Sequence, residues 1–558
     1  MTIQFDEDKQ KQKLADIRKK DEEEFSRHLA EQSGIDFINL SSVPINTDAL
    51  RLIKEETARG AKIAAFNLIG KKVEIGVISP ASPEVISALN EMTQAGYTPI
   101  VFVTTHESLE KAWGHYKDLS YSTESRVGAL DVSSDEILVF LKKVHSIRDI
   151  GVLIQEILTE KKSYRISRLI ELIIAGALAT KASDIHIEPE EGYARLRYRL
   201  DGVLNDVLNF DRETFDLILS RIKLLSGLKL NIKTEAQDGR FSVKINADDI
   251  EIRTSLLPGA YSESIVMRIL NPKSIAVPLE ELGIAPKLLD LLLREIAKPN
   301  GMILTTGPTG SGKTTTLYAF LRKVHTPEIK IITIEDPIEY HLPGIVQTQT
   351  NPEKGYTFLE GLRSALRQDP DIIMVGEIRD RETAEIAVDA ALTGHLVFST
   401  LHTNNAAGSF PRLIDLGVNS KTMSSAINVS MAQRLVRKLC SDCKKEIPLE
   451  GAAKTMVDKI IATMADKSAI SNTSKIWTAV GCDVCNHTGY KGRLGIYEAI
   501  LMNGVIESVV RENPSDREIQ KAASSQGIPT MKQDGVTKLL SGITSLEELT
   551  RVIDLEKE

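Results

Sequence analysis

The chain has 558 residues, with 69 lysines and arginines against 77 aspartates and glutamates, which gives a formal net charge of -8. This length predicts about three or four domains, and the acidic balance excludes a general nucleic-acid-binding surface. The longest apolar stretch, residues 169–180, is interrupted by Glu171 and falls short of the ~18 residues that a membrane-spanning helix needs. We therefore expect a soluble protein, or one that reaches a membrane only through a partner.

The N-terminal part of the chain shows two patterns. Residues 1–34 are dense in both charges and in helix formers, which predicts a solvated helix or tail without chemistry. From residue 35 onwards, short apolar runs such as VEIGVIS and TPIVFVT alternate with helical stretches. This alternation predicts a first N-terminal α/β domain over residues 35–147. The acidic, polar start MTIQFDEDKQKQKL is unlike a secretory signal, so we expect a reducing compartment.

A second N-terminal domain is predicted over residues 148–275. A helix, SYRISRLIELIIAGALATKA, leads into antiparallel-looking strands such as SDIHIEP, YARLRYRL and ESIVMRIL around a further helix. Alternation along YARLRYRL places Arg195, Arg197 and Arg199 on one face of a strand. These guanidinium groups either lie in water or meet an anion.

Residues 276–558 alternate strands and helices. The apolar runs GMILTTG, KIITIE, IIMVGE and LVFSTLH are each followed by a helical or turn segment, which predicts a mainly parallel sheet with helices on both faces. Ligands of such sheets bind at the carboxyl ends of the strands. The final stretch, residues 500–558, is predicted to be helical and to have a regulatory or structural role.

A phosphate-binding loop follows the first of these strands. GPTGSGKT, Gly307–Thr314, fits the pattern G-x-x-x-x-G-K-[ST] between a strand and a helix. Its glycines let backbone N–H groups approach phosphates, Lys313 supplies a charge for the β- and γ-phosphates of ATP, and the Thr314 hydroxyl is expected to bind Mg²⁺. The predicted ATP-binding residues are Gly307, Pro308, Thr309, Gly310, Ser311, Gly312, Lys313, Thr314 and Thr315.

Carboxylates end the next two strands. Glu377 follows IIMVG and is the candidate general base or water-orienting residue. Gly376 stands where an ordinary P-loop ATPase has a metal-linked aspartate, so Glu335 and Asp336 in TIEDPIEY are the predicted replacements near Mg²⁺. TIEDPIEY also supplies Glu339 to this cluster of carboxylates. For Glu339, the alternative interpretation is a cap of the following turn.

Two histidines, His395 and His402, bracket the fourth strand. A lone histidine is more often a satisfied core residue than a catalytic one. Because this pair brackets a strand of a P-loop sheet, we expect at least one of the two to sense the γ-phosphate.

The cysteines form two Cys-x-x-Cys pairs, Cys440 with Cys443 and Cys482 with Cys485. Four cysteines in two short turns are typical of a structural Zn²⁺ site, although the stretch between the pairs is longer than in the tightest zinc ribbons. Disulfides are disfavoured by the expected reducing compartment. A thioredoxin-like redox role is also weaker, because neither pair follows a strand and opens a helix.

Several motifs together resemble a known family. The phosphate loop, TIEDPIE, MVGEIRD and TGHLVFSTLHTN are similar, in this order, to the Walker A, Asp box, atypical Walker B and His box of the secretion ATPase superfamily. ASDIHIEP, RYRLDG, QDGR, GRLGIYE and the paired cysteine turns extend the resemblance to its GspE/PilB branch, the type II secretion and type IV pilus assembly ATPases.

This resemblance implies an α/β fold in which a RecA-like ATPase domain follows two smaller N-terminal domains, the first GspE-like and the second PAS-like, and carries the four-cysteine subdomain, residues 440–485. It implies a cytoplasmic homohexamer at the inner face of the membrane that turns Mg-ATP hydrolysis into movement of a platform protein. Glu377 becomes the Walker B glutamate, Glu335 and Asp336 the Asp box, and His395 and His402 the His box. Arginines of the second N-terminal domain are implied to meet the phosphates on domain rotation, with Arg197, Arg199 and Arg221 as candidates.

Three alternatives remain at this point. An ATP-binding scaffold or regulatory subunit with little turnover is supported by Gly376 alone. A pilus retraction motor is disfavoured because such relatives generally lack the first N-terminal domain and the cysteine turns. A nucleic-acid translocase is disfavoured by the acidic charge balance and by the lack of helicase-like motifs.

Overall fold

The computed structural model describes residues 21–556, apart from residues 41–42, 44, 51, 70, 119–128, 132–143, 145, 160–164, 246–247, 272–276, 471 and 513–514. The described residues form two compact units. The first is drawn from Met1–Leu141, Val152–Ala175 and Phe210–Asp249, and the second from Lys142–Gly151, Gly176–Asn209 and Ile250–Glu558. The predicted domain boundaries remain predictions.

The elements before residue 276 are short strands and helices. The strands are β1 (Ile63–Ile69), β2 (Lys72–Val77), β3 (Thr98–Val103), β4 (Ala129–Asp131), β5 (Asp184–Pro189), β6 (Tyr193–Leu200), β7 (Val203–Asp211), β8 (Gln237–Ile245), β9 (Asp248–Pro258) and β10 (Glu263–Leu270). The helices are α1 (Thr47–Leu50), α2 (Glu55–Ala61), α3 (Pro83–Gln94), α4 (His106–Gly114), α5 (Ile147–Leu158), α6 (Arg165–Ala179) and α7 (Arg212–Leu225).

The elements after residue 276 are again strands and helices. The strands are β11 (Gly301–Thr306), β12 (Ile331–Glu335), β13 (Val346–Gln349), β14 (Ile372–Val375), β15 (Leu396–Leu401), β16 (Ile427–Leu439), β17 (Lys445–Pro448), β18 (Lys475–Thr478) and β19 (Tyr490–Leu501). The helices are α8 (Pro286–Ile296), α9 (Lys313–Val324), α10 (Phe358–Leu366), α11 (Arg381–Leu392), α12 (Ser409–Asp415), α13 (Ser420–Ala426), α14 (Gly451–Ala462), α15 (Gly504–Arg511), α16 (Asp516–Ala523), α17 (Met531–Leu540) and α18 (Leu546–Val552).

The first unit contains the α/β pattern predicted from the alternating apolar runs. Strand β2 pairs antiparallel with β1 and parallel with β3. The Trp113 indole N–H donates to the carbonyl of Ile63 (2.9 Å), which fixes α4 against β1. Ser82 caps α3 by accepting the N–H of Val85 (3.2 Å). Elsewhere in this unit, β4 pairs parallel with β8.

The largest sheet of the second unit is the predicted parallel one. Its strand order is β13, β12, β14, β15, β11, β16, β19, and all neighbours are parallel except β16 and β19. Side chains of β11, β12, β14 and β15 are buried on both faces, because helices cover both sides. Strands β13, β16 and β19 extend the sheet beyond the four strands that the sequence predicted.

An antiparallel group of strands lies in the same unit. Strand β5 pairs with β6 and β10, and β10 pairs with β9. Along β6, Leu196, Tyr198 and Leu200 are buried, while the arginines between them are half-exposed on the other face. This confirms the predicted alternation.

The C-terminal region is helical, as predicted, and α17 is held to β19 by buried charges. Asp534 accepts the backbone N–H of Tyr497 (2.8 Å) and the ammonium of Lys538 (2.6 Å). Lys538 also donates to the carbonyl of Gly495 (2.7 Å). Within the part of the chain that the structure describes, no helix combines the length and apolar character that a membrane span requires.

Candidate active site

The phosphate loop connects β11 to α9 in a glycine-dependent conformation. Gly307, Gly310 and Gly312 have φ values of 148°, 77° and 90°, a region that disfavours other residues. A Cβ at Gly307 would lie 2.7 Å from the carbonyl oxygen of Gln433, so the loop needs glycine there for space as well. Helix α9 begins without a side-chain cap, which leaves its first N–H groups available to a phosphate.

Lys313 occupies the centre of this loop. Its ammonium donates to the carbonyls of Gly307 (2.8 Å) and Pro308 (3.2 Å). Burial lowers the pKa of Lys313, while the nearby carboxylate of Glu377 acts in the opposite direction. Of the other predicted nucleotide-binding residues, Pro308, Thr309 and Gly310 are exposed, Thr314 and Thr315 are half-buried, and Ser311 is buried.

Glu377 is held between two partners at the end of β14. One carboxylate oxygen pairs with the guanidinium of Arg379, and the other lies 3.2 Å from Nε2 of His402. The Glu377 side chain is only 13% exposed, whereas His402 is 51% exposed. This brings the predicted general base and one predicted histidine together. The sequence analysis did not single out Arg379, although this residue lies in the motif MVGEIRD.

The structure gives a steric reason for Gly376. A Cβ at this position would lie 3.1 Å from the carbonyl oxygen of Ile334 and 3.3 Å from the ring of Phe358. The N–H of Gly376 also donates to that Ile334 carbonyl (2.8 Å), which ties β14 to β12. A larger residue would therefore push these neighbours apart.

The two predicted Asp-box carboxylates have different surroundings. Glu335 is buried, accepts hydrogen bonds from Thr333 (2.5 Å) and Gln347 (3.0 Å), and also pairs with the hydroxyl of Tyr318. Burial raises the pKa of its carboxyl. Asp336 is exposed. Both remain predicted ligands of Mg²⁺, and Asp336 is the one with an open side chain.

The two histidines lie at opposite edges of the sheet. Gly301 begins β11, pairs with Leu396, and donates its N–H to the carbonyl of His395 (3.1 Å). The phosphate loop follows the other end of β11, about 20 Å away along a strand of this length. Within this chain His402 therefore reaches the site and His395 does not, because a strand separates them.

Two of the three predicted arginines, Arg197 and Arg199, engage carboxylates of their own sheet. Arg197 pairs with Glu188, and Arg199 lies 3.3 Å from Asp184, both across the β5–β6 ladder. Arg221 lies on α7, in the first unit. Their predicted contact with phosphates on domain rotation remains a prediction.

The segment after His402 is contacted by residues that the sequence analysis missed. Arg434 on β16 donates to the carbonyl of Asn404 (2.8 Å), and Glu498 on β19 accepts the N–H of Ala406 (2.8 Å). Gln433 donates to the carbonyl of Ser311 (2.8 Å) in the phosphate loop. The only signal for Glu498 was its place in GRLGIYE.

The four cysteine sulfurs form one cluster. All four lie within 4.8 Å of one another, with separations of 3.9 Å (Cys440 to Cys482), 3.8 Å (Cys443 to Cys485) and 3.7 Å (Cys482 to Cys485). A tetrahedral ion with Zn–S bonds of ~2.3 Å separates its ligands by about 3.8 Å. These distances therefore fit a Cys₄ zinc site and are too long for disulfides, which require about 2.05 Å.

Backbone N–H groups surround the same sulfurs. Gly481 donates to Cys443 (3.3 Å), and the N–H groups of Cys482 and Gly489 donate to Cys485 (both 3.2 Å). Such donors stabilise thiolates, the form in which cysteine binds metal. The predicted Zn²⁺ would be held here and would fix the turns.

Comparison with known proteins identifies the family. A family model described as type II/IV secretion system protein matches residues 159–551. The chain belongs to this family. A second model, described as MshEN domain, matches residues 33–124.

Three curated relatives show the extent of the similarity. The chain is 43% identical over 387 residues to type II secretion system protein E of Aeromonas hydrophila, covering 69% of this chain and 75% of the relative. It is 38% identical over 516 residues to type II secretion system protein E of Dickeya dadantii, covering 92% of this chain and 99% of the relative. It is 36% identical over 526 residues to the type IV pilus assembly ATPase PilB of Pseudomonas aeruginosa, covering 94% of this chain and 89% of the relative. These findings confirm the GspE/PilB assignment and a P-loop ATPase of the secretion ATPase superfamily.

The cysteine cluster generates a test by metal content. We expect the purified protein to contain about one zinc per chain by elemental analysis, and Cys482→Ser to lose it, because three thiolates and a hydroxyl bind the ion poorly. Ser441→Ala, an exposed change in the first cysteine turn, is the matched control and keeps the metal. A parent protein purified under reducing conditions without zinc would contradict the assignment.

Glu335 generates a test that separates its structural and metal-binding roles. Because burial raises the pKa of Glu335 in the folded state, protonation of this carboxyl stabilises the fold at low pH. This stabilisation is lost as the pH rises through the raised pKa. We expect Glu335→Gln to raise the thermal unfolding midpoint relative to the parent at pH 8, by the equivalent of about 1 kcal/mol, with less effect at pH 5.

The control for this change is Glu353→Gln, which alters an exposed carboxylate and leaves the midpoint unchanged at both pH values. A Glu335→Gln protein that unfolds at a lower temperature at pH 8 would contradict the proposed effect of burial. If the stable variant also loses Mg-dependent ATP hydrolysis, the predicted metal role of Glu335 is supported.

Proposed function

We propose that this protein is a hexameric ATPase that couples Mg-ATP hydrolysis to assembly of a type IV pilus or a type II secretion pseudopilus. The observation that carries this proposal is the position of Glu377, held by Arg379 and His402 at the sheet edge where the phosphate loop begins. This arrangement provides phosphate binding and a carboxylate that can orient water.

Each residue has a distinct part in the proposed reaction. Lys313 and the uncapped start of α9 bind the phosphates, while Glu377 orients the attacking water and accepts its proton. His402 lies 3.2 Å from Glu377 and follows β15, the strand between β14 and β11, where it orients the carboxylate and senses the γ-phosphate. Thr314 with Asp336 or Glu335 would hold Mg²⁺, which would supply positive charge to offset that of the phosphates.

The assembly role is supported by the four-cysteine cluster and by the match of residues 33–124 to the MshEN model, since retraction motors generally lack both features. We place the protein in the cytoplasm, against the inner face of the cytoplasmic membrane. There it acts on a membrane-embedded platform protein and does not require a specific nucleic acid. Rotation of the second N-terminal domain would bring Arg197, Arg199 or Arg221 towards the phosphates.

An ATP-binding scaffold with little turnover is the second candidate function, because Gly376 removes a metal-linked aspartate. The close approach of Ile334 and Phe358 offers a packing reason for this glycine that is compatible with hydrolysis. The two candidates differ in whether bound ATP is consumed.

Hydrolysis and its dependence on Glu377 test the proposal. We expect the purified hexamer to hydrolyse ATP only with Mg²⁺, and Glu377→Gln to lower kcat by about 100-fold or more while ATP affinity is retained, since the loss is of a water-orienting carboxylate. Glu382→Gln, an exposed change on α11, is the control and keeps the parent rate.

Two results would defeat this part of the proposal. One is a hexamer that binds ATP tightly without turnover, which favours the scaffold. The other is an unchanged rate in Glu377→Gln. In cells that depend on this protein, Glu377→Gln should abolish surface fibres or pseudopilus-dependent secretion, whereas an excess of surface fibres would indicate a retraction motor.

A further inference from the structure

The backbone that follows His402 is fixed by side chains from three neighbouring strands. The N–H of Thr403 donates to the hydroxyl oxygen of Thr306 on β11 (2.8 Å). Arg434 on β16 donates to the carbonyl of Asn404 (2.8 Å). Glu498 on β19 accepts the N–H of Ala406 (2.8 Å). The direction in which His402 projects from β15 therefore depends on contacts made beyond that strand.

Glu498 joins this segment to the C-terminal helices. Its Oε1 accepts the N–H of Ala406, and its Oε2 accepts the N–H of Met531 (3.0 Å), the first residue of α17. The residue is only 9% exposed. Met531 begins α17, and its N–H has no partner inside the helix, so Glu498 supplies the external acceptor that this N–H needs. A carboxylate supplies two acceptor atoms and no competing donor.

Glu498 also acts on Arg434 through charge. Burial lowers the pKa of Arg434, and the carboxylate of Glu498 acts in the opposite direction, favouring the charged guanidinium. That guanidinium lies against the start of the phosphate loop, with Nη1 3.1 Å from the position of a Cβ on Gly307. Loss of the Glu498 charge would therefore weaken two hydrogen bonds to the segment at once, the one from Ala406 to Glu498 and the one from Arg434 to Asn404.

We propose that Glu498 is a positioning residue for ATP hydrolysis, which holds the segment Thr403–Ala406 so that His402 stays against Glu377. This inference rests on the proposed hydrolysis at this site. Because Glu498 also holds the first residue of α17, the position of that helix relative to β19 is linked to the geometry of the His402–Glu377 pair.

A nearby buried glutamate provides the matched control. Glu548 is fully buried and accepts the backbone N–H of Arg437 (2.9 Å) and its guanidinium. None of the hydrogen bonds or ion pairs found for Glu548 among the described residues reaches the segment after His402. Replacing it tests the cost of losing a buried carboxylate without disturbing that segment.

The test compares Glu498→Gln with Glu548→Gln in the full-length hexamer. A carboxamide keeps one acceptor but turns an NH₂ donor towards a backbone N–H, so Glu498→Gln loses one of its two bonds. We expect kcat to fall roughly 10-fold with the KM for ATP within about 2-fold, because Glu498 makes no hydrogen bond to the phosphate loop among the described residues and the Lys313 contacts with loop carbonyls are retained. Amide hydrogen exchange should become faster at residues 403–406 and at the start of α17. Glu548→Gln should keep kcat within about 2-fold, even if its unfolding midpoint drops.

The outcomes separate this inference from the proposed function. An unchanged kcat in Glu498→Gln, or an equal loss of kcat in both variants, overturns the positioning role while the parent remains an ATPase. A parent hexamer without turnover defeats the proposed function, and hydrogen exchange alone then decides whether Glu498 fixes the segment. Unchanged exchange at residues 403–406 overturns the inference in that case.

Discussion

The parallel hydrogen-bonded ladder of the large sheet is the constraint on which the site depends. Thr306 pairs with Leu401 and Val375 pairs with Ser399, so β11, β14 and β15 end at the same edge. The residues that follow these ends are the phosphate loop, Glu377 and His402. Parallel strands therefore bring together groups that lie far apart in sequence, with no long-range side-chain contact needed to recruit them.

Charge at this edge is arranged in layers. Lys313 donates to carbonyls of the phosphate loop, Glu377 is near enough to act on the charge of Lys313, and Arg379 and His402 both contact the Glu377 carboxylate. Arg434 lies on the β16 side of the loop and is held by backbone carbonyls. In the proposed reaction, an incoming phosphate would thus meet two half-buried cations, Lys313 and Arg434, and the Glu377 carboxylate is already held by Arg379 and His402.

Much of this arrangement could be predicted from the sequence, because apolar runs ending in polar motifs specify both the strands and the edge at which their ligands bind. The sequence could not tell which of the two histidines lies beside Glu377, because a motif that spans a whole strand has residues at both ends. The hydrogen bond that Glu335 accepts from Gln347 required knowledge of β13, whose short polar sequence gave no strand signal. Arg434 and Glu498 lie on strands that join the sheet after long excursions, so only the folded structure shows them beside the site.

The cysteine cluster has a consequence for how this chain can vary. Leu439 at the end of β16 pairs with Tyr490 at the start of β19, and the two cysteine turns lie just beyond that pair. A metal ion there would join the two ends of residues 444–481, a segment that contains β17, α14 and β18 and packs Leu449 and Val457 into the core beside the large sheet. Because closing a longer loop costs only slightly more entropy, such a join would let the exposed parts of this segment vary in length while the strands bearing Arg434 and Glu498 keep their register. Insertions there would change the surface of the protein without shifting the sheet that carries the candidate site.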